Sequence, residues 1–183
     1  MSNVPVYDVD SISLGPGILF IGPVGATPTT DVGAISEDGM EFNLSREFLE
    51  VFQGQPKELI TTFPLEEVVE VTIQGIEWNL MELPRALGAG VTTSAGGVET
   101  FAFGGSAGIS EVAVLIQHSM PSGHTVSIYL WRCQPSGEWT MSMAQDTLHT
   151  FPWSFKALST TTEWDGSALP SGQSLFRIKR ETA

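Results

Sequence analysis

Carboxylates dominate the side chains that could do chemistry. Glu66, Glu67 and Glu70 form the densest cluster, and Glu77 and Glu82 follow. A hydrolase built on paired carboxylates needs two of them facing across a cleft, one with a raised pKa. On a strand, Glu66 and Glu70 share one face while Glu67 takes the other, so spacing forces no such pair. A solvated acidic face is the expected reading. The histidines His118, His124 and His149 lack HxH or HExxH spacing. His118 and His124 flank one expected turn and could meet across it, but metal binding is not expected from two such residues. The lone Cys133 excludes an intrachain disulfide framework, a Cys-cluster zinc site and a thioredoxin-type motif, and it fits a reducing compartment. No nucleophile elbow singles out a Ser/His/Asp or Cys133/His149 arrangement. Gly15-Pro16-Gly17 and the run Gly104 to Gly108 lack the Lys-Ser/Thr of a phosphate loop, and no GxGxxG lies between a strand and a helix. Neither catalytic residues nor a metal or cofactor site is expected.

Composition narrows the classes further. The chain has 183 residues with 21 acidic and 8 basic side chains, a formal charge of −13, and 42% apolar residues. Its mean hydropathy is +0.10. That is too apolar for a disordered chain and too poor in Lys and Arg to grip nucleic acid through phosphates. The 19 Gly and 11 Pro call for many turns, as in an all-β domain. The start, MSNVPVYDVDSIS, has no basic segment followed by an apolar one, so no secretory signal is expected. The run Gly17 to Gly25 is too short to span a bilayer. A soluble protein made in the cytoplasm is the expectation, with no membrane insertion of its own.

The charge is concentrated. Twelve acids lie between Asp31 and Glu82 against only Arg46 and Lys57, so this stretch carries −10 of the −13. Residues 83–172 are nearly neutral, and Arg177, Lys179 and Arg180 make the C-terminus basic.

Period-2 patterning must position whatever these charges do. Met40/Phe42/Leu44, Val69/Val71/Ile73, Trp139/Met141/Met143, Phe151/Trp153/Phe155 and Phe176/Ile178 each alternate with polar or small residues, as strands with one face in a core. The aromatics Trp131, Trp139, Phe151, Trp153 and Phe155 then fall on core faces. EVAVLIQH (111–118) and TVSIYLW (125–131) are continuously apolar, so both read as strands buried on two faces, joined into a hairpin by Met120–Gly123. Ile76, Leu80, Leu83 and Leu87, with Trp78 and Met81 alongside, recur at helical spacing, so a helix is expected over 76–88 with Pro84 ending or kinking its first part. Gly88–Gly97 and Gly104–Gly108 read as loops. One mainly β domain over 1–183, a sandwich or barrel with one flanking helix, is the expectation.

The order of these features resembles the tail tube (major tail) proteins of long-tailed bacteriophages. GILFIGPVGATPTTDVGAISEDGMEF is followed by the acidic excursion SREFLEVFQGQPKELITTFPLEE, the strand VVEVTIQG, the helical IEWNLMELPRALGAG, the pair EVAVLIQH/TVSIYLWR and the closing HTFPWSFKALSTT. The "FKAL" at Phe155–Leu158 is similar to the closing strand of many members, and the resemblance covers about Gly17 to Thr162. It implies hexameric rings with a continuous inner β-barrel, stacked into a virion tail tube that is assembled in the host cytoplasm and conducts DNA during ejection. The implied partners are further copies of the chain, the tail terminator, the tape measure and the distal tail or baseplate proteins, with DNA in transient, non-specific passage. The same fold serves tailocin and type VI secretion tubes.

An acidic wall would repel DNA, so Glu37, Glu41, Glu66 and Glu70 are candidates for the lumen, with Thr72 beside them. The segment 46–64, through Arg46, Phe48, Phe52, Lys57 and Phe63, is expected either to reach a neighbouring subunit or to fold onto its own domain. The arms 1–14 and 171–183, the latter with Arg177, Lys179 and Arg180, are further candidates for inter-subunit contact. A tube protein of a tailocin or type VI secretion-like particle, a carbohydrate-binding module using exposed tryptophans, and a small hydrolase on Glu66/Glu70 are the rival readings.

Overall fold

A computed structural model describes residues 15, 17–77, 79–105, 108–141, 145 and 149–182, and among these described residues ten strands and one short helix form. The strands are β1 (Ile18–Pro23), β2 (Thr30–Asp31), β3 (Ile35–Gln53), β4 (Glu58–Gly75), β5 (Val91–Ala95), β6 (Val98–Ala102), β7 (Val112–Ser119), β8 (Thr125–Pro135), β9 (Phe151–Ala157) and β10 (Arg177–Arg180), with α1 at Leu83–Leu87. The fold is mainly β, as expected, and every pairing between named strands is antiparallel. One sheet runs in the order β2-β1-β7-β8-β9-β4-β3. Strand β8 has β7 on one edge, while β10 and β9 share the other end to end, pairing with Val126–Tyr129 and with Cys133–Pro135.

Val69/Val71/Ile73 and Phe151/Trp153/Phe155 bury the faces their patterns require, and Met40 and Phe42 pack against the same core, but Leu44 and Ile178, expected on core faces, are 47% and 53% exposed. Leu19 and Ile21 of β1, Val112, Val114 and Ile116 of β7, and Leu130 and Cys133 of β8 form one core with Val69, Val71 and Ile73 of β4 and Phe151, Trp153 and Phe155 of β9. The sheet therefore folds over so that its two halves share an interior. The continuously apolar β7 is buried on both faces. Its other face, Ala113 and Leu115, joins Trp131 and Trp164 under the C-terminal segment. Trp164 Nε1 donates to the Trp131 carbonyl (3.3 Å), and Trp131 Nε1 donates to that of Gln173 (3.2 Å), so neither indole is buried without a partner. The expected turn closes the β7–β8 hairpin, with Gly123 N donating to the Met120 carbonyl at 2.9 Å.

Cys133 is fully buried, and desolvation pushes its thiol up to about 12. The native chain should therefore not react with a thiol reagent such as dithionitrobenzoate at pH 8, and should react fully in denaturant. Rapid labelling of the native protein would place Cys133 in contact with solvent.

Three expectations need correction. The helix is Leu83–Leu87, not 76–88: Pro84 sits in its first turn, where its missing N–H costs nothing, and Gly88 ends it in the left-handed conformation (φ 68°). The residues ahead of it are claimed elsewhere, because Ile76 N donates to the Ala34 carbonyl (2.9 Å) and Asn79 N folds back on Glu77 (3.0 Å). Trp78 lies outside the described residues. Trp139–Met141 form no strand; Trp139 instead packs against the core beside Phe151 at 6.4 Å between ring centroids, and Met143 lies outside the described residues. Within the expected 88–97 loop, and running beyond it, is the β5–β6 hairpin, turned by Gly96 and Gly97 at φ 62° and 79°. Positive φ at both central residues marks the hairpin turn that favours glycine, and that dipeptide between Thr- and Val-rich runs was the available signal.

Candidate assembly surface

The acidic stretch and the long excursion turn out to be one object. Strands β3 and β4 pair continuously from Met40↔Ile73 out to Gln53↔Glu58, with register shifts after Glu47 and after Val51. Near its base the ribbon belongs to the core, through Val69, Val71 and Ile73. Beyond Val68, β4 is exposed at every residue. Phe48, Leu49, Phe52, Leu59, Ile60, Phe63 and Leu65 are 49–59% exposed there. Of the two alternatives for 46–64, folding onto its own domain is thus not what the chain does: the segment projects as a two-stranded ribbon whose apolar side chains face water.

Register assigns the charges to faces, since directly paired residues lie on the same side. Phe42↔Val71 and Leu44↔Val69 lie on the core side, so Glu41↔Thr72, Asn43↔Glu70 and Glu47↔Glu66 lie on the other. Three of the four candidate carboxylates, Glu41, Glu66 and Glu70, therefore share one face with Glu47. Glu37 lies within the irregular stretch between Ile35 and Met40, so register does not place it on that face. Strand β9 extends the face with Lys156 beside Glu70 and Ser154 beside Thr72, whose hydroxyls are 3.3 Å apart. Glu70 also accepts from Ser136 Oγ at 3.0 Å. Glu66 stands opposite Glu47 rather than a cation, and both are exposed.

The cations divide between two roles. Arg46 pairs with Glu67 at 3.0 Å on the core-side face, with both side chains about half exposed, so the pair adds little stability. Lys57 is exposed in the turn at the ribbon end. Arg177 is committed inside its own domain: it pairs with Glu163 at 2.5 Å, donates to Gln173 Oε1 at 2.6 Å, and stacks 5.0 Å over Trp131. Lys179 lies 5.0 Å over the Tyr129 ring, and Arg180 is exposed. The basic C-terminus thus fastens β10 to β8 with two of its three charges, and the arm 1–14 lies outside the described residues. The tryptophans Trp131, Trp153 and Trp164 are buried, which removes them from a carbohydrate platform.

Across the sheet, Glu111 receives two guanidinium hydrogen bonds from Arg132, both 2.6 Å, which hold its carboxyl below the ordinary 4.5. A depressed folded pKa gives stability that is present above about 4.5 and lost as pH falls through the lowered value. Glu111→Gln should therefore lower the melting temperature slightly at pH 7 and leave it unchanged near pH 2. An equal loss at both pH values would mean the charge is not what Arg132 recognises.

Among the described residues no three His, Cys, Asp or Glu side chains come together as a metal-ligand set, and no helix is long and apolar enough to cross a membrane. No family model matches the sequence, and no curated protein does. Among solved structures similar in outline is the tube-terminating cap of the anti-feeding prophage, at a TM-score of 0.48 and 9% identity, with 100% of this chain and 95% of that chain covered. Similarity at that level assigns neither family nor function.

Proposed function

We propose that this chain is a non-enzymatic structural subunit of a phage-tail-type tube. Copies join into rings, and the rings stack around an acidic conduit through which DNA passes. One observation carries the reading: the β3–β4 ribbon combines an apolar projection that a lone subunit leaves in water with a sheet face bearing Glu41, Glu47, Glu66 and Glu70. Contiguous exposed apolar surface of this kind belongs to an interface. A wall of carboxylates repels a polyanion and lets it slide, where a basic wall would hold it. The order of sequence elements resembling tail tube proteins supports the same reading.

Negative-stain electron microscopy of the purified chain over a range of concentrations is the test, followed by reconstruction of whatever forms. Six-fold rings or hollow tubes with Glu41, Glu66 and Glu70 on the inner wall are expected. Tubes with those residues outside would remove the conduit from the proposal. Particles that are neither annular nor tubular would remove the tube.

A further inference from the structure

The ribbon is not the only apolar surface left bare. The β5–β6 hairpin presents Val91↔Ala102, Thr93↔Thr100 and Ala95↔Val98 on one face, with no charge among the six residues. Its other face carries Glu99 and Phe101, and the Phe101 ring lies against Gly90, so close that a Cβ there would fall 2.5 Å from it. Val91, Val98, Phe103 and Ile109 are 53–66% exposed. A two-stranded hairpin with a bare apolar face is marginal in water by itself.

We infer that the uncharged face of the β5–β6 hairpin is the seat for the β3–β4 ribbon end of a second copy of this chain. The inference rests on the self-assembly reading above and names the surface that receives the ribbon. Charge selects that partner. Copies carrying −13 each repel, so contact must form where charge is sparse, and Glu99 is the only charged residue between Leu87 and Glu111. Glu99 lies on the hairpin's opposite face, so the seat itself carries no carboxylate to repel the ribbon's own acids. Joining two ribbon ends instead would bring Glu47, Glu50, Glu58, Glu66 and Glu67 of each copy together against two cations apiece.

Geometry selects against a single copy satisfying itself. The hairpin is rooted where Ser110 N donates to the Gly88 carbonyl (2.7 Å), with Gly88 against Pro135. Pro135 lies in one row with Phe155 and Val71, and Val71 is roughly 40 Å along β4 from the ribbon turn. The two patches share no residue, which allows a head-to-tail contact, the kind that closes into rings or propagates as filaments. The seven half-exposed ribbon side chains offer on the order of 600 Å² of apolar surface, close to the roughly 800 Å² each partner gives to a stable interface.

Chains with one introduced cysteine test this directly, because native Cys133 is buried. Full-length Phe52→Cys and Leu49→Cys, which sample the two ribbon faces, are each mixed with Val98→Cys and treated with a short bismaleimide. A mixed dimer from at least one pairing is expected, and Val98→Asp should raise the half-assembly concentration about tenfold or more. Ribbon-to-ribbon adducts alone, the absence of mixed adduct in a sample that sediments as an assembly, or a chain that stays monomeric to its solubility limit would each overturn the inference. Rings that form without the mixed adduct defeat this contact and leave the tube reading standing; a mixed adduct in particles that are not annular does the reverse.

Discussion

Replacing Phe48, Phe52 and Phe63 together with serine will leave a folded chain that no longer assembles. Each ring is 49–54% exposed on the ribbon, so the subunit itself gains little from them. Transferring the remaining half of each ring out of water is worth about 2 kcal/mol, hence about 6 kcal/mol for three, or some four powers of ten in an association constant. The urea midpoint should move only slightly, because surface positions away from packed features shift stability by about 0.5 kcal/mol each. Sedimentation velocity beside urea denaturation separates the two effects. Unchanged assembly would mean that the ribbon rings are not buried between copies, and collapse of the fold would mean that they are buried within one.

Phe155→Ala should do the opposite and unfold the subunit before assembly can be asked about. Phe155 is fully buried on β9, in register with Val71 of β4 and Pro135 of β8, where the two halves of the sheet meet. Truncating a buried Phe costs about 3–5 kcal/mol in transfer and cavity terms. A domain of this size has about 5–15 kcal/mol in total, so the variant should lose a large part of its urea midpoint or fail to fold at 37 °C. A loss under about 1 kcal/mol would show that the neighbouring core closes over the gap. The contrast with Phe52 is instructive, since both residues belong to strands.

Much of this architecture was legible in local pattern. The alternation at Met40–Phe42, Val69–Ile73 and Phe151–Phe155 gave both the strands and their core faces, because a pleated backbone must send neighbours to opposite sides, whereas Leu44 of the same pattern is left 47% exposed. The unbroken run 112–116 announced a strand covered twice, and it is. The concentration of acid between Asp31 and Glu82 was visible as composition, and so was the shared face of Glu66 and Glu70.

What local pattern could not settle was decided by partners far along the chain. Ile76, Leu80, Leu83 and Leu87 have helical spacing, but the Ala34 carbonyl holds Ile76 and Gly88 stops the helix after Leu87. Arg177 looked free for a neighbour until Glu163, Gln173 and Trp131 were brought around it by the C-terminal segment. Phe48 and Phe155 carry the same ring in the same kind of strand. Only the placing of β9 between β8 and β4 puts one in the interior, while the ribbon's length carries the other beyond every covering element. Periodicity fixes which way a side chain points, and tertiary structure alone decides whether anything is there to meet it.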